Sequence, residues 1–167
     1  MPASNEERLE ALERRVRELE DRDGIVRTLY VLGQTIDYGD HQRWLDCFVE
    51  DCVFEMVEVS SSGRDVKVRH EGRQALADFI PHHTHAPEYF HKHLVSDPLI
   101  DVDGDGATCS SYLTRLDEGD AGPFVWSIGR YGDEFRRCED GRWRVSRRTI
   151  EVECRAVPVK SSDIGGR

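Results

Sequence analysis

The spacing of hydrophobic positions changes character along the chain, and each regime predicts a different kind of element. From Leu9 the apolar residues recur at helical intervals: Leu9, Leu12, Val16 and Leu19 form a narrow stripe that Val26, Tyr30, Gly33 and Asp37 carry onward. Ile25, Leu29, Leu32 and Ile36 lie one residue earlier each time, which widens the apolar face of the second half. Ser4 with Glu7 three residues later is a capping-box start, and Glu10/Arg14, Glu13/Arg17 and Glu18/Arg22 place acid before base one turn apart. Asp23-Gly24 is expected to bend or interrupt this helix and Gly39 to stop it. Asp40 then caps a second short helix that turns Trp44, Leu45 and Phe48 inward.

Beyond Asp51 the period drops to two. Residues 52–59 and 65–70 read as strands around Ser60-Ser61-Ser62-Gly63, and 72–80 as a short helix stopped by Pro81. Four longer strands are predicted over 91–102, 107–116, 124–137 and 142–154, joined by turns rich in Asp and Gly. One of these, Asp101-x-Asp103-x-Asp105-Gly106, opens like a calcium loop, but Tyr112 stands where the bidentate Glu is required, so a hairpin turn is expected. Helices followed by antiparallel hairpins define an α+β layout, in which a long twisted sheet buries one face against the helices and curls to leave a pocket. The expected organisation is a helical extension over 1–23, one domain over 24–155 and a flexible tail over 156–167 that contains Gly165-Gly166. The extension is a solvated helix with four apolar positions, suited to packing by one edge on a neighbouring subunit.

Charge narrows the function. Against 33 Asp and Glu stand 23 Lys and Arg, for a formal net charge of -10, which argues against a nucleic-acid surface because phosphate binding is driven by clustered cations. No apolar run is long enough to span a bilayer and the first 23 residues are mostly charged, so neither an anchor nor a leader is expected and the protein is placed in the cytoplasm. Cys47, Cys52, Cys109, Cys138 and Cys154 are odd in number and lack a C-x-x-C pair, and are read as free thiols.

Among the acids, Asp37 is the most informative. A carboxylate near a helix C-terminus is disfavoured by the helix dipole, and one on an apolar face needs a partner. The bland alternative is a frayed helix end that leaves Asp37 in water beside Gly39. Histidine is the natural partner, and six of the seven histidines fall between His70 and His93. His91 and His93 share one face of a strand, whereas His82, His83 and His85 follow Pro81 in a loop. A neutral imidazole held by a carboxylate can act as a general base near neutral pH. The histidine spacings match no zinc signature, so no metal is expected. Tyr30, Trp44, Phe48, Phe54, Tyr112, Trp126 and Tyr131 are spread over elements that would surround one cavity and are taken as pocket candidates.

These residues carry a resemblance. Leu32-Gly33-Gln34-Thr35-Ile36-Asp37-Tyr38-Gly39-Asp40, then Trp44, Phe48 and Asp51-Cys52-Val53-Phe54, look like the opening of the SnoaL-like group in the nuclear transport factor 2-like superfamily. Glu71-Gly72-Arg73, His93-Leu94-Val95-Ser96-Asp97, Gly129-Arg130-Tyr131-Gly132-Asp133-Glu134-Phe135 and Asp140-Gly141-Arg142-Trp143 fit as well, in order, over residues 20–153.

The resemblance implies a cone-shaped α+β barrel around an apolar pocket. It also implies kinship with scytalone dehydratase, bile acid 7α-dehydratase and hexachlorocyclohexane dehydrochlorinase, which use an Asp–His dyad without a cofactor and are commonly trimers. In that pattern the acid is Asp37 and the histidine His93; Tyr30, Tyr112 and His91 are candidates for the pocket. The implied function is a cofactor-independent lyase of a small hydrophobic hydroxylated cyclic molecule, in a homo-oligomer, trimer or dimer. An isomerase or cyclase using the same pocket, or a non-catalytic binding module akin to an oxygenase small subunit, are the alternatives.

Overall fold

The computed structural model of the chain describes residues 4–156. Helix α1 spans Asn5–Tyr38 and starts as expected: Ser4 Oγ accepts from the Glu7 N–H at 3.2 Å while the Glu7 carboxylate accepts from the Ser4 N–H at 2.7 Å. It runs on through Asp23-Gly24, where a bend or an interruption was expected, without an interruption. A Cβ on Gly24 would stand 3.0 Å from the Trp143 ring, so the glycine admits this buried indole instead of ending the helix. The same turn is pinned by Asp21, which accepts from Trp143 Nε1 at 3.2 Å and pairs with Arg137, and by Thr28 Oγ1, which donates to the Trp143 carbonyl at 2.8 Å. Toward the N-terminus none of the described residues covers the apolar stripe of α1. Leu9, Leu12, Val16 and Leu19 are all more than half exposed.

After Gly39 the chain forms α2 (His41–Leu45), capped by Asp40, and then enters the sheet. Strand β1 is Phe48–Ser60, beginning earlier than the period-two pattern predicted, because Phe48 already pairs with Val145. There follow β2 (Gly63–Glu71), α3 (Arg73–Phe79), a 3₁₀ turn (Ile80–His82), β3 (His91–Asp103), β4 (Gly106–Asp117), β5 (Phe124–Arg137) and β6 (Trp143–Arg155). Asp103 and Gly106 close a hairpin, as the turn reading of that acidic loop required. The proposed tail, beyond Ala156, lies outside the described residues.

The six strands form one sheet in the order β2-β1-β6-β5-β4-β3, antiparallel except for β1 beside β6. It curls without closing, so β2 and β3 remain as edges. Helix α1 lies against β3, and α3 packs on β1 and β2. Ile25, Leu29 and Leu32 of α1 join Trp44, Phe48, Phe54, Leu76, Ile80 and Val145 in a dry core. All five cysteines are free, three of them buried. The architecture is the expected α+β cone, and it sets the last turn of α1 beside the first residues of β3.

Candidate functional site

Asp37 is 3% exposed at the end of α1, where water does not offset the unfavourable helix dipole. Three contacts from a single residue satisfy it instead. The His93 backbone N–H is shared between both carboxylate oxygens at 3.2 Å, and His93 Nδ1 donates to Oδ1 at 2.7 Å. Because Nδ1–H points at the carboxylate, the lone pair of the neutral ring resides on Nε2.

Such closeness depends on a residue with no side chain. Gly33 lies one helical turn before Asp37, and a Cβ there would stand 2.9 Å from the His93 carbonyl oxygen. Its absence lets the β3 backbone approach the helix closely enough for the carboxylate to bridge both His93 donors.

His93 also lines a cavity of about 1030 Å³ bounded by β1, β4, β5, β6 and the loops 84–89 and 118–123. Leu113, Tyr131, Ile150 and Val152 give it an apolar wall. Trp126 joins them because β5 bulges at this point. Arg115 pairs with Ser127 and Leu116 with Val125, which leaves Trp126 as the extra residue, and a bulge redirects the side chain it carries. Tyr131 is buried against the Arg148 guanidinium, which lies 4.4 Å over its ring and is itself held by Asp133 in two hydrogen bonds of 2.7 and 2.8 Å. Burial pushes the Tyr131 phenol up to about 12, so it stays a neutral donor.

Sequence reasoning missed the polar group of this cavity. Arg115 is the cross-strand partner of His93, and it forms a two-pronged pair with Asp117 through Nε at 2.6 Å and Nη2 at 3.0 Å. Tyr89 donates to the same carboxylate at 3.0 Å. The signal was available in the alternation of β4: Ala107, Cys109, Ser111 and Leu113 are all buried, and the same parity carries Arg115 and Asp117 inward.

The remaining candidates separate by position. His91 is 2% exposed, with Nε2 3.6 Å from Asp37 Oδ1, and neither of its ring nitrogens has a hydrogen-bond partner. His83, expected in an open loop, is partly buried and turned toward the strand histidines: its ring centroid lies 5.2 Å from that of His91 and 5.6 Å from that of His93. Burial lowers both His83 and His91 to about 4, so both rings are neutral at physiological pH.

Trp44, Phe48 and Phe54 stack on one another in the core, outside the cavity lining. Tyr30 and Tyr112, also placed in the pocket by sequence reasoning, are 55% and 58% exposed and do not line it. Tyr30 sits on the outward flank of a buried stripe centred on Ile25, Leu29 and Leu32, and Tyr112 has the outward parity of β4.

Comparison with known proteins bears on this arrangement. The sequence profile of the SnoaL-like domain matches residues 17–149. The anthranilate 1,2-dioxygenase small subunit of Burkholderia cepacia is 29% identical over 123 residues, covering 69% of this chain and 76% of that protein. Two solved structures from Novosphingobium aromaticivorans share the fold. The β subunit of a candidate aromatic-ring-hydroxylating dioxygenase has a TM-score of 0.71 at 20% identity, over 85% of this chain and 94% of that one. A candidate scytalone dehydratase has a TM-score of 0.66 at 19% identity, over 86% and 91%. Among the described residues, no helix is long and apolar enough to cross a membrane. With the profile extending over most of the chain and the helix–sheet cone in place, the protein belongs to the SnoaL-like family of the nuclear transport factor 2-like fold.

Proposed function

We propose that this chain is a cofactor-independent lyase of the dehydratase type, acting on a small hydrophobic hydroxylated cyclic molecule bound in the cavity. The observation that carries this reading is the 2.7 Å bond from His93 Nδ1 to the buried Asp37 carboxylate, on a histidine that lines the cavity. Asp37 fixes the tautomer and stabilises the imidazolium once it forms; Nε2 takes a proton from a carbon next to an activating carbonyl. The electron pair of that C–H bond passes to the carbonyl oxygen as an enolate, where Arg115 supplies the compensating charge. When the enolate collapses, the new C=C bond forms as the C–O bond to the leaving hydroxyl breaks, and the imidazolium proton goes to that oxygen to release water. Returning the proton to a different carbon would make the same dyad an isomerase. General base catalysis of this kind is worth about 10²- to 10⁴-fold.

The test is mass-spectrometric detection of water loss across a panel of hydroxylated aromatics and steroids, followed by Asp37→Asn on whichever compound reacts. Loss of turnover in the variant supports the dyad; full turnover removes it.

A second reading, a small-subunit-like module without its own reaction, is favoured by the likeness to the anthranilate dioxygenase small subunit. A chain that forms a stable homo-oligomer in isolation, through the exposed Leu9, Leu12, Val16 and Leu19 stripe, speaks against an obligate larger partner. We place a trimer or dimer of that kind with the lyase.

A further inference from the structure

We propose that His83, His91 and His93 form a three-imidazole site for a divalent transition-metal ion of the zinc class, and that an ion bound there silences the dyad. One ligand nitrogen from each ring lies within 4.8 Å of the others. Bonds of about 2.1 Å to a tetrahedral ion place ligand atoms about 3.4 Å apart. The rings therefore need to converge by about 1.4 Å at most.

The surroundings of the three rings support the assignment. Imidazoles that bind metals characteristically donate their other ring N–H to a carboxylate or a backbone carbonyl, which fixes tautomer and orientation. His93 does the first, to Asp37 at 2.7 Å, and His83 does the second, to the Thr84 carbonyl at 2.7 Å, so both leave Nε2 as the free ligand atom. His91 provides an independent indication. It is 2% exposed with both ring nitrogens unpartnered, although a buried polar atom without a partner ordinarily costs about 1–3 kcal/mol. A bound ion supplies a partner to one of the two nitrogens. Three imidazoles without thiolate suit zinc, cobalt, nickel or copper over magnesium or calcium, which prefer oxygen. Asp37 contributes negative charge beside the rings, which opposes the effect of the Arg115 guanidinium on the same cluster.

The consequence for catalysis rests on the lyase reading; the binding of the ion does not. His93 Nε2 has a single lone pair, so accepting a proton and ligating a metal exclude each other, and the occupied protein has no base.

The experiment titrates chelator-stripped full-length protein with Zn²⁺ by calorimetry and with Co²⁺ by visible absorption. Wild type is expected to take up one ion per chain with the intense visible bands of tetrahedral cobalt. His83→Ala and His91→Ala should each weaken binding at least about tenfold, and Asp37→Asn about 10- to 100-fold, while His41→Ala, away from the cluster, should leave it unchanged. Circular dichroism identifies folded variants, and if His91→Ala does not fold, His83→Ala decides alone. Absence of saturable binding by wild type, or binding undiminished in folded His83→Ala, overturns the site. Turnover by the stripped protein that Zn²⁺ leaves unchanged overturns the silencing. If Zn²⁺ binds as described but the stripped protein dehydrates nothing, the lyase reading fails and the metal site stands.

Discussion

His93 and Arg115 stand directly opposite each other on β3 and β4, and both face the cavity. A base and a fixed cation on neighbouring strands suit a reaction in which a proton leaves one atom while negative charge grows on another nearby. Replacing Arg115 by Gln should therefore lower kcat by about 10²-fold with a smaller change in KM. Arg115→Lys should recover only part of the rate, because lysine keeps the charge but loses the two-pronged grip on Asp117. Steady-state kinetics with thermal unfolding as the folding control checks this; an unchanged kcat in folded Arg115→Gln would remove the cation from the mechanism.

Gly33→Ala tests how the dyad is assembled. In an ordinary helix interior this change stabilises by up to about 1 kcal/mol. Here the new Cβ would stand 2.9 Å from the His93 carbonyl, and overpacking of this kind costs about 1–3 kcal/mol. We predict net destabilisation in urea unfolding together with a loss of turnover larger than the stability change explains. A variant as stable and active as wild type would show that the strand does not depend on this gap.

Acid should destabilise the metal-free protein through His83 and His91. Unfolded imidazoles take up protons near 6.5, whereas burial holds these two unprotonated down to about 4. Between those values the unfolded chain binds protons that the folded chain refuses, so unfolding free energy falls as pH drops through the window and the effect levels off below it. Around the two rings stand His93, Asp37 and Arg115. Carboxylates elsewhere also contribute to acid sensitivity, so the readout is a difference: His91→Phe should show a shallower loss of urea midpoint than wild type between pH about 6.5 and about 4. An identical slope would mean that His91 is not held neutral by the fold.

The exposed N-terminal stripe of α1 carries its own prediction. Leu12→Glu with Val16→Glu should leave the unfolding free energy of the isolated chain within about 0.5 kcal/mol per substitution, since both residues face water. It should also shift the mass seen by light scattering to that of a monomer. A mass unaffected by the double change would place any self-association elsewhere.

Much of this architecture was legible from period and turn signals, because β4 and β5 alternate and each hairpin turn carries Gly, Asp or Ser at its bend. Asp37 stood out for a similar reason, as a carboxylate at the end of an apolar helix stripe. Its partner did not, since six histidines lie between His70 and His93 and only the resemblance favoured His93. Arg115 and Asp117 escaped notice although their parity pointed inward, because inward charge looks like an error until the facing partner is known. Tyr30 was drawn into the pocket by the stripe it shares with Asp37 and Tyr112 by residue type, yet Tyr30 lies on the outer flank of the buried stripe and Tyr112 on the outward face of β4. No spacing rule revealed His83, whose approach to His91 and His93 depends on the path of the chain after Pro81. The interruption allowed at Gly24 does not occur, and the sequence alone did not exclude it, because a helical glycine that accommodates an indole and one that ends a helix have the same local signal.

The most direct measurement of the central claim is single-turnover dehydration by metal-free protein, comparing wild type with Asp37→Asn and His93→Gln on a substrate found in the hydroxylated panel. The dyad predicts loss of about 10²- to 10⁴-fold in the rate of water release for each variant, with the double variant no worse than the more damaged single one, because the two side chains act as a unit. Rates near wild type in either folded variant, or losses that multiply in the double, would contradict a catalytic partnership between Asp37 and His93.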